Sequence, residues 1–162
     1  MKEPEKKKRV LTLVYIMKDD EILLGLKKRG FGQGNWNGFG GKVNVDETIV
    51  DCAIREVKEE CGLALNSVDL ECMAIIDFEF KGDPVHLEVH VFRADRFFGE
   101  VSESDEMAPK WFKISDIPYE QMWPDDVIWH PHFFQGQKFR AQFLFEGTDK
   151  ILSHTLVPVQ EL

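Results

Sequence analysis

Gly41-Lys42-Val43-Asn44-Val45-Asp46-Glu47-Thr48-Ile49-Val50-Asp51-Cys52-Ala53-Ile54-Arg55-Glu56-Val57-Lys58-Glu59-Glu60-Cys61-Gly62-Leu63 is the stretch whose reading decides the fold. Three carboxylates, Glu56, Glu59 and Glu60, stand between a glycine-rich entry and a glycine stop. At about 100° per residue, Glu56 and Glu60 lie roughly 40° apart on a helix, and Glu59 about 60° to the other side of Glu56. The three share one arc, and Ile49, Val50, Ala53, Ile54, Val57 and Cys61 fall on an adjoining arc suited to a core. Like charges so placed repel by about a few tenths of a kcal/mol per pair on an isolated helix. A hard cation with oxygen ligands would offset that repulsion. Gly62 fits a left-handed C-cap, and Asp46 or Thr48 could cap the start. Arg55 could orient a carboxylate through a bidentate pair, with Glu47 as its partner. A bare Glu-x-x-Glu-Glu would read as a solvated acidic face. The full spacing, from the glycines to Gly62-Leu63, favours a metal site.

The rest of the chain is consistent with one domain. A length of 162 residues allows a substantial core. A net charge of −9 argues against a nucleic-acid polymer as main partner. No apolar run reaches the ~20 residues of a membrane span, and the first residues lack the apolar centre of a secretory signal. Residues 1–9 read as a basic flexible tail, and 10–162 as the domain. Cys52, Cys61 and Cys72 show no paired or metal-type spacing and read as free thiols.

Apolar patterning predicts strands at Val10–Met17 and Ile22–Leu26 around a Lys18-Asp19-Asp20 turn. A glycine loop follows over Lys27–Asn37, then a helix ending near Cys61. Leu70–Phe80 and Val85–Ala94 form a predicted hairpin through Lys81-Gly82-Asp83-Pro84. A short strand at Trp111–Ile114, a helix from Asp125-Asp126 to Gln135, and strands at Gln142–Phe145 and Leu152–Val157 complete the order. Strands, helix, strands, helix, strands gives an α+β fold, a mixed sheet flanked by helices.

Three further groups carry chemistry. Gly38-Phe39-Gly40-Gly41-Lys42 brings backbone close to the acidic helix, for ligand approach or simply for a tight turn. Lys27, Lys28 and Arg29 could meet polyphosphate charge, and Glu106 could complete a metal shell. Taken alone, these four are ordinary surface charges. Trp123-Pro124-Asp125-Asp126, with Trp129, Phe133 and Phe134, suits a flat hydrogen-bonding ligand. Aromatic faces stack on bases for about 1–3 kcal/mol each, and two desolvated carboxylates tend to share one proton. The alternative is a helix N-cap on an aromatic core.

The window from Gly41 to Leu63 matches the signature box of the Nudix hydrolases at each fixed position, so the chain resembles that family. Within it, several stretches are similar to enzymes that hydrolyse oxidised purine nucleoside triphosphates: Lys27–Gly32, Trp36–Lys42, Val89–Phe92, Glu103–Met107 and Met122–Asp126. The resemblance implies an α/β/α sandwich, and Mg²⁺ (with Mn²⁺ as substitute) held by Glu56, Glu59, Glu60, Glu106 and the Gly40 carbonyl. It also implies attack at the β-phosphorus, with Glu56 or Glu59 as base and Arg55 in the catalytic set. The implied substrates are 8-oxo-dGTP and 2-oxo-dATP, extending to O6-methyl-dGTP and N6-methyl-dATP. Asn37, Asp125 and Asp126 would bond the base edge and Trp123 would stack on it. Phe31, Phe78, Leu87, Pro124 and Trp129 would wall the pocket. Thr12, Lys27, Phe39, Gly40, Gly41 and Lys42 would contact the nucleotide. A monomer without membrane contact is implied, in the cytoplasm, with the mitochondrial matrix and nucleus as further compartments. Two features depart from the pattern: the longer, more basic N-terminal tail, and Leu87 where relatives carry methionine. A Nudix pyrophosphatase for another nucleoside diphosphate derivative stays open. ADP-ribose and dinucleoside polyphosphate enzymes carry a proline or a tyrosine past the box, where this chain has Phe78-Glu79-Phe80-Lys81. Two alternatives of other classes are a non-catalytic nucleotide-binding module, although such modules usually lose box glutamates, and a structural interaction protein using its aromatic surface, which predicts no metal dependence.

Overall fold

The structure is a computed structural model and describes residues 6–162. Among the described residues eight strands form one mixed sheet, in the order β3-β2-β1-β5-β4-β7-β8 with β6 paired to β2. The strands are β1 (Lys7–Lys18), β2 (Glu21–Lys27), β3 (Trp36–Asn37), β4 (Leu70–Phe80), β5 (Val85–Ala94), β6 (Met107–Lys113), β7 (Phe139–Glu146) and β8 (Lys150–Pro158). The helices are α1 (Ile49–Cys61) and α2 (Asp126–Phe134). No helix among the described residues is long and apolar enough to cross a membrane.

Local chemistry sets the limits of α1. The Thr48 hydroxyl accepts the Asp51 N–H at 3.1 Å, so Thr48 is the N-cap, while Asp46 lies before the helix with φ of 64°. Gly62 ends the helix at φ 81°, a conformation that excludes most side chains, and its N–H bonds the Lys58 carbonyl.

Strand β1 is the organising element. It pairs in parallel with β5 from Lys7↔Val85 to Ile16↔Ala94, but with β2 only across Ile16–Lys18. Beyond that short hairpin β2 turns away to pair with β3 and β6. The freed edge of β1 is taken up by residues 38–43, through Val14↔Phe39 and Leu11↔Lys42 bridges. Alternate β1 residues face opposite layers. Tyr15 and Met17 join Trp129 and Phe133 of α2 in one core. Val14 and Ile16 join Ala53, Val57 and Cys61 of α1 in the other.

Both β4 and β5 have the expected bounds, but other limits differ. Residues 7–9, expected in the flexible tail, are strand, because β5 offers partners at Val85, His86 and Leu87 and the charged side chains point outward, with Lys8 3.4 Å from Glu88. The tail reading for residues 1–5 lies outside the described residues. Strand β6 starts at Met107 instead of Trp111, since all seven of its residues find register partners on β2. The glycine loop ends in β3, which was expected to be loop throughout.

Candidate active site

The arrangement of Gly38–Lys42 along β1 brings the loop against α1. The Gly40 N–H donates to Glu60 Oε1 at 2.7 Å. Val14 and Phe39 exchange both backbone bonds, and the Thr12 N–H reaches the Gly41 carbonyl at 2.9 Å. A Cβ at Gly40 would overlap the Thr12 carbonyl oxygen, and one at Gly41 would lie 2.5 Å from Glu56 Oε1. Glycine lets the backbone run close to Thr12 at position 40 and to Glu56 at position 41.

Arg55 ties the acidic face together. Its Nε and Nη2 donate to the two Glu47 oxygens at 2.7 and 2.9 Å. Nη1 donates to Glu56 at 2.9 Å and to Glu59 at 3.3 Å, and Nη2 also reaches the Lys42 carbonyl. Hydrogen bonding from Arg55 holds Glu47 down to about 2. Burial acts the other way on the inner acids: it raises Glu56, and it pushes Glu60, which is 5% exposed, up to about 8. Glu106 lies 3.2 Å from Lys27 and 3.4 Å from Arg29, and the Lys27 hydrogen bond lowers it.

These carboxylates are oxygen donors of the kind a hard divalent cation takes. Desolvated acids crowded beside one another are also what such a charge would relieve. The donor set therefore fits the implied metal in its chemistry. Among the described residues no three acid, histidine or cysteine side chains converge on one point, because Glu59 turns to Arg55 and Glu106 to Lys27 and Arg29. Of Gly40, it is the N–H that meets Glu60.

A cavity of about 200 Å³ opens beside this face. Its lining includes Thr12, Lys27, Gly41 and the hydrogen-bonded Gly40 and Glu60, together with Asn37, Trp123, Asp126 and the hydrogen-bonded Asp125 and Trp129, and Phe78 and Leu87. Phe31 stands at the mouth, 64% exposed and 5.0 Å from Trp123. Asn37 Oδ1 accepts the Gly38 N–H at 2.8 Å, which leaves its NH₂ free to donate. Phe39, Lys42 and Pro124, expected at the nucleotide, do not line this cavity. Phe39 is fully buried in the core under α1, since the pleat that turns Gly38 and Gly40 toward the cavity turns Phe39 inward.

Asp125 and Asp126 are both buried. Asp125 Oδ2 accepts from Trp129 Nε1 at 2.8 Å, whereas Asp125 Oδ1 and Asp126 Oδ2 have no partner. Orphaned oxygens so deep in a structure call for a ligand or a proton. Burial lifts Asp125 to about 6 and Asp126 well above the ordinary range. The folded chain thus holds protons that the unfolded chain releases near 3.8. Stability is expected to fall as pH rises from that value through about 6 and beyond. Melting temperatures between pH 5 and pH 8 should decline in the unaltered chain and less steeply in Asp126→Asn; equal slopes would contradict this.

Sequence reading missed three side chains near that pair: Tyr15, Tyr119 and His130. The buried His130 ring lies 2.9 Å from the Tyr15 hydroxyl and 3.0 Å from the Tyr119 hydroxyl. The only sequence signal was a histidine inside an aromatic helix, and nothing local joins it to residues 15 and 119.

The NUDIX domain family matches residues 7–133. The chain is 49% identical over 154 residues to the oxidized purine nucleoside triphosphate hydrolase of Danio rerio, covering 95% of this chain and 97% of that protein. It is 48% identical over 148 residues to the protein of that name from Mus musculus, covering 91% and 94%. The crystal structure of a MutT protein from Bacillus halodurans superposes with a TM-score of 0.81 over 91% of this chain and 97% of that one, at 24% identity, which speaks to the fold alone.

Proposed function

Because the chain belongs to the Nudix family, we propose that its cavity hydrolyses oxidised purine nucleoside triphosphates to the monophosphate and pyrophosphate. The observation that carries this reading is the cavity's lining by two unlike groups of residues. One group presents unpaired carboxylate oxygens beside the aromatic rings of Trp123 and Trp129. The other group presents a lysine, bare backbone and the buried box acid Glu60. Two relatives near half identity over almost the whole chain, both called oxidized purine nucleoside triphosphate hydrolases, support the same substrate class.

Toward the base, Asn37 donates, Asp125 and Asp126 accept or donate according to protonation, and Trp123 offers a stacking face. Lys27 faces the phosphates. Glu56 or Glu59 takes a proton from the attacking water or orients it. The water oxygen bonds the β-phosphorus while the bond to the α–β bridging oxygen breaks, and that oxygen leaves on the nucleoside monophosphate. Arg55 holds Glu56 and the helix entry at Glu47 in fixed relation throughout. Nudix hydrolases generally need a divalent metal. Glu56, Glu59, Glu60, Glu106 and the Gly40 carbonyl are the groups that would hold Mg²⁺, or Mn²⁺ in its place, to neutralise phosphate charge.

Steady-state pyrophosphate release with Mg²⁺ should give a kcat/KM for 8-oxo-dGTP and 2-oxo-dATP about tenfold or more above that for dGTP and dATP, since each mismatched buried polar contact costs about 1–3 kcal/mol. Equal turnover of oxidised and normal purines would reject the reading.

A further inference from the structure

Behind the base pocket lies a chain of three polar groups that a purely packing role would not require. Tyr15 on β1, His130 on α2 and Tyr119 in the turn at Tyr119–Gln121 form a continuous hydrogen-bonded line through His130. None of the three lines the cavity. His130 is completely buried, and burial lowers its imidazole to about 3, so the ring is neutral. Its Nε2 lies 3.9 Å from Asp126 Oδ1, one helical turn earlier. The other Asp126 oxygen is one of the two unpaired atoms of the pocket.

A neutral imidazole donates from one nitrogen and accepts at the other. With the proton on Nε2, the ring donates to the Tyr15 oxygen and accepts from Tyr119. That N–H, on the nitrogen 3.9 Å from Asp126 Oδ1, then brings positive charge near Asp126 and favours its ionised form. With the proton on Nδ1, the ring donates to Tyr119 and accepts from Tyr15. The same nitrogen, 3.9 Å from Asp126 Oδ1, then carries its lone pair and favours the protonated form. Both arrangements contain the same three protons and leave both ring nitrogens bonded. In the dry interior such dipoles act at close range without solvent to average them out.

We propose that the Tyr15–His130–Tyr119 chain is a specificity-determining element, in which the tautomer of His130 biases whether Asp126 meets the base edge as donor or acceptor. The inference rests on the purine triphosphate reading above and deepens it. A guanine edge presents an O6 acceptor where an adenine edge presents an N6 donor. Accepting both oxidised bases requires the aspartate pair to change its proton arrangement, and a two-state dipole behind Asp126 lets each base select the arrangement that suits it. The three residues are positioning residues, since they act through Asp126.

Tyr15→Phe and Tyr119→Phe each keep an aromatic ring and remove one hydroxyl from the chain. Each should change the ratio of kcat/KM for 8-oxo-dGTP over 2-oxo-dATP by about three- to tenfold, the scale of one lost hydrogen bond. The change should fall mainly on KM, because the box acids are untouched. In the unaltered protein, the imidazole nitrogen resonances of His130 should shift toward different tautomers on binding 8-oxo-dGMP and 2-oxo-dAMP, a readout independent of turnover and of either variant's folding. If oxidised bases are preferred but both variants keep the unaltered ratio, or if the His130 resonances respond identically to the two monophosphates, this inference fails alone. If oxidised bases are not preferred at all, the function reading fails and takes this inference with it.

Discussion

Glu56→Gln is expected to lower kcat by about a hundred- to ten-thousandfold, the range that a positioned acid–base group contributes, with little change in melting temperature. The amide matches the carboxyl in size, and its oxygen can still accept the Arg55 Nη1 bond now made at 2.9 Å. Packing beside Gly41 is therefore retained while the negative charge and the proton-accepting site are lost. Pyrophosphate release kinetics, with a thermal melt of the same sample, separate the two effects. Full activity in a folded variant would remove Glu56 from the reaction. If Glu59→Gln alone is inactive, the role of base passes to Glu59, the alternative that the helix geometry leaves open.

Gly40→Ala should damage both stability and activity. A single methyl at this position collides with the Thr12 carbonyl and crowds the Leu13 Cα at 3.0 Å. The loop cannot simply step back, since the Val14–Phe39 and Thr12–Gly41 backbone bonds pin it on either side. Overpacking of this kind costs about 1–3 kcal/mol, and each kcal/mol lowers the melting temperature of a chain this long by about 2–4 °C. Displacing the loop also carries away the Gly40 N–H that holds Glu60, so kcat should fall too. A variant that melts within a degree of the unaltered chain and turns over normally would show that the loop has slack the geometry does not reveal.

Much of the fold was legible because its signals are local. Helix α1 has its predicted end because the cap chemistry lies within a few residues, and β4–β5 has its predicted turn for the same reason. Strand ends at Lys7, Met107 and Phe139 were not legible, because distant register partners extend them. The acids of α1 and the Asp125–Asp126 pair could be picked out singly. That Glu60 and Asp126 border one cavity depends on how β1 separates from β2, which no short window encodes. Phe39 was misplaced for a related reason: the side of the pleat it takes is set by pairing with Val14. The Tyr15–His130–Tyr119 line joins two neighbouring elements to β1, 115 residues away from His130, so only the folded arrangement reveals it.

Strand β1 also constrains inheritance. Its alternating residues serve two masters, the layer around α2 and the layer around α1. Point substitutions between Leu11 and Ile16 can therefore tune either side alone, and lineages are free to drift in base preference while keeping their acids. A single-codon insertion or deletion in the same stretch would invert the pleat, sending Tyr15 toward α1 and Val14 toward α2. Length variation among descendants of this chain should accordingly collect in its loops and be purged from β1.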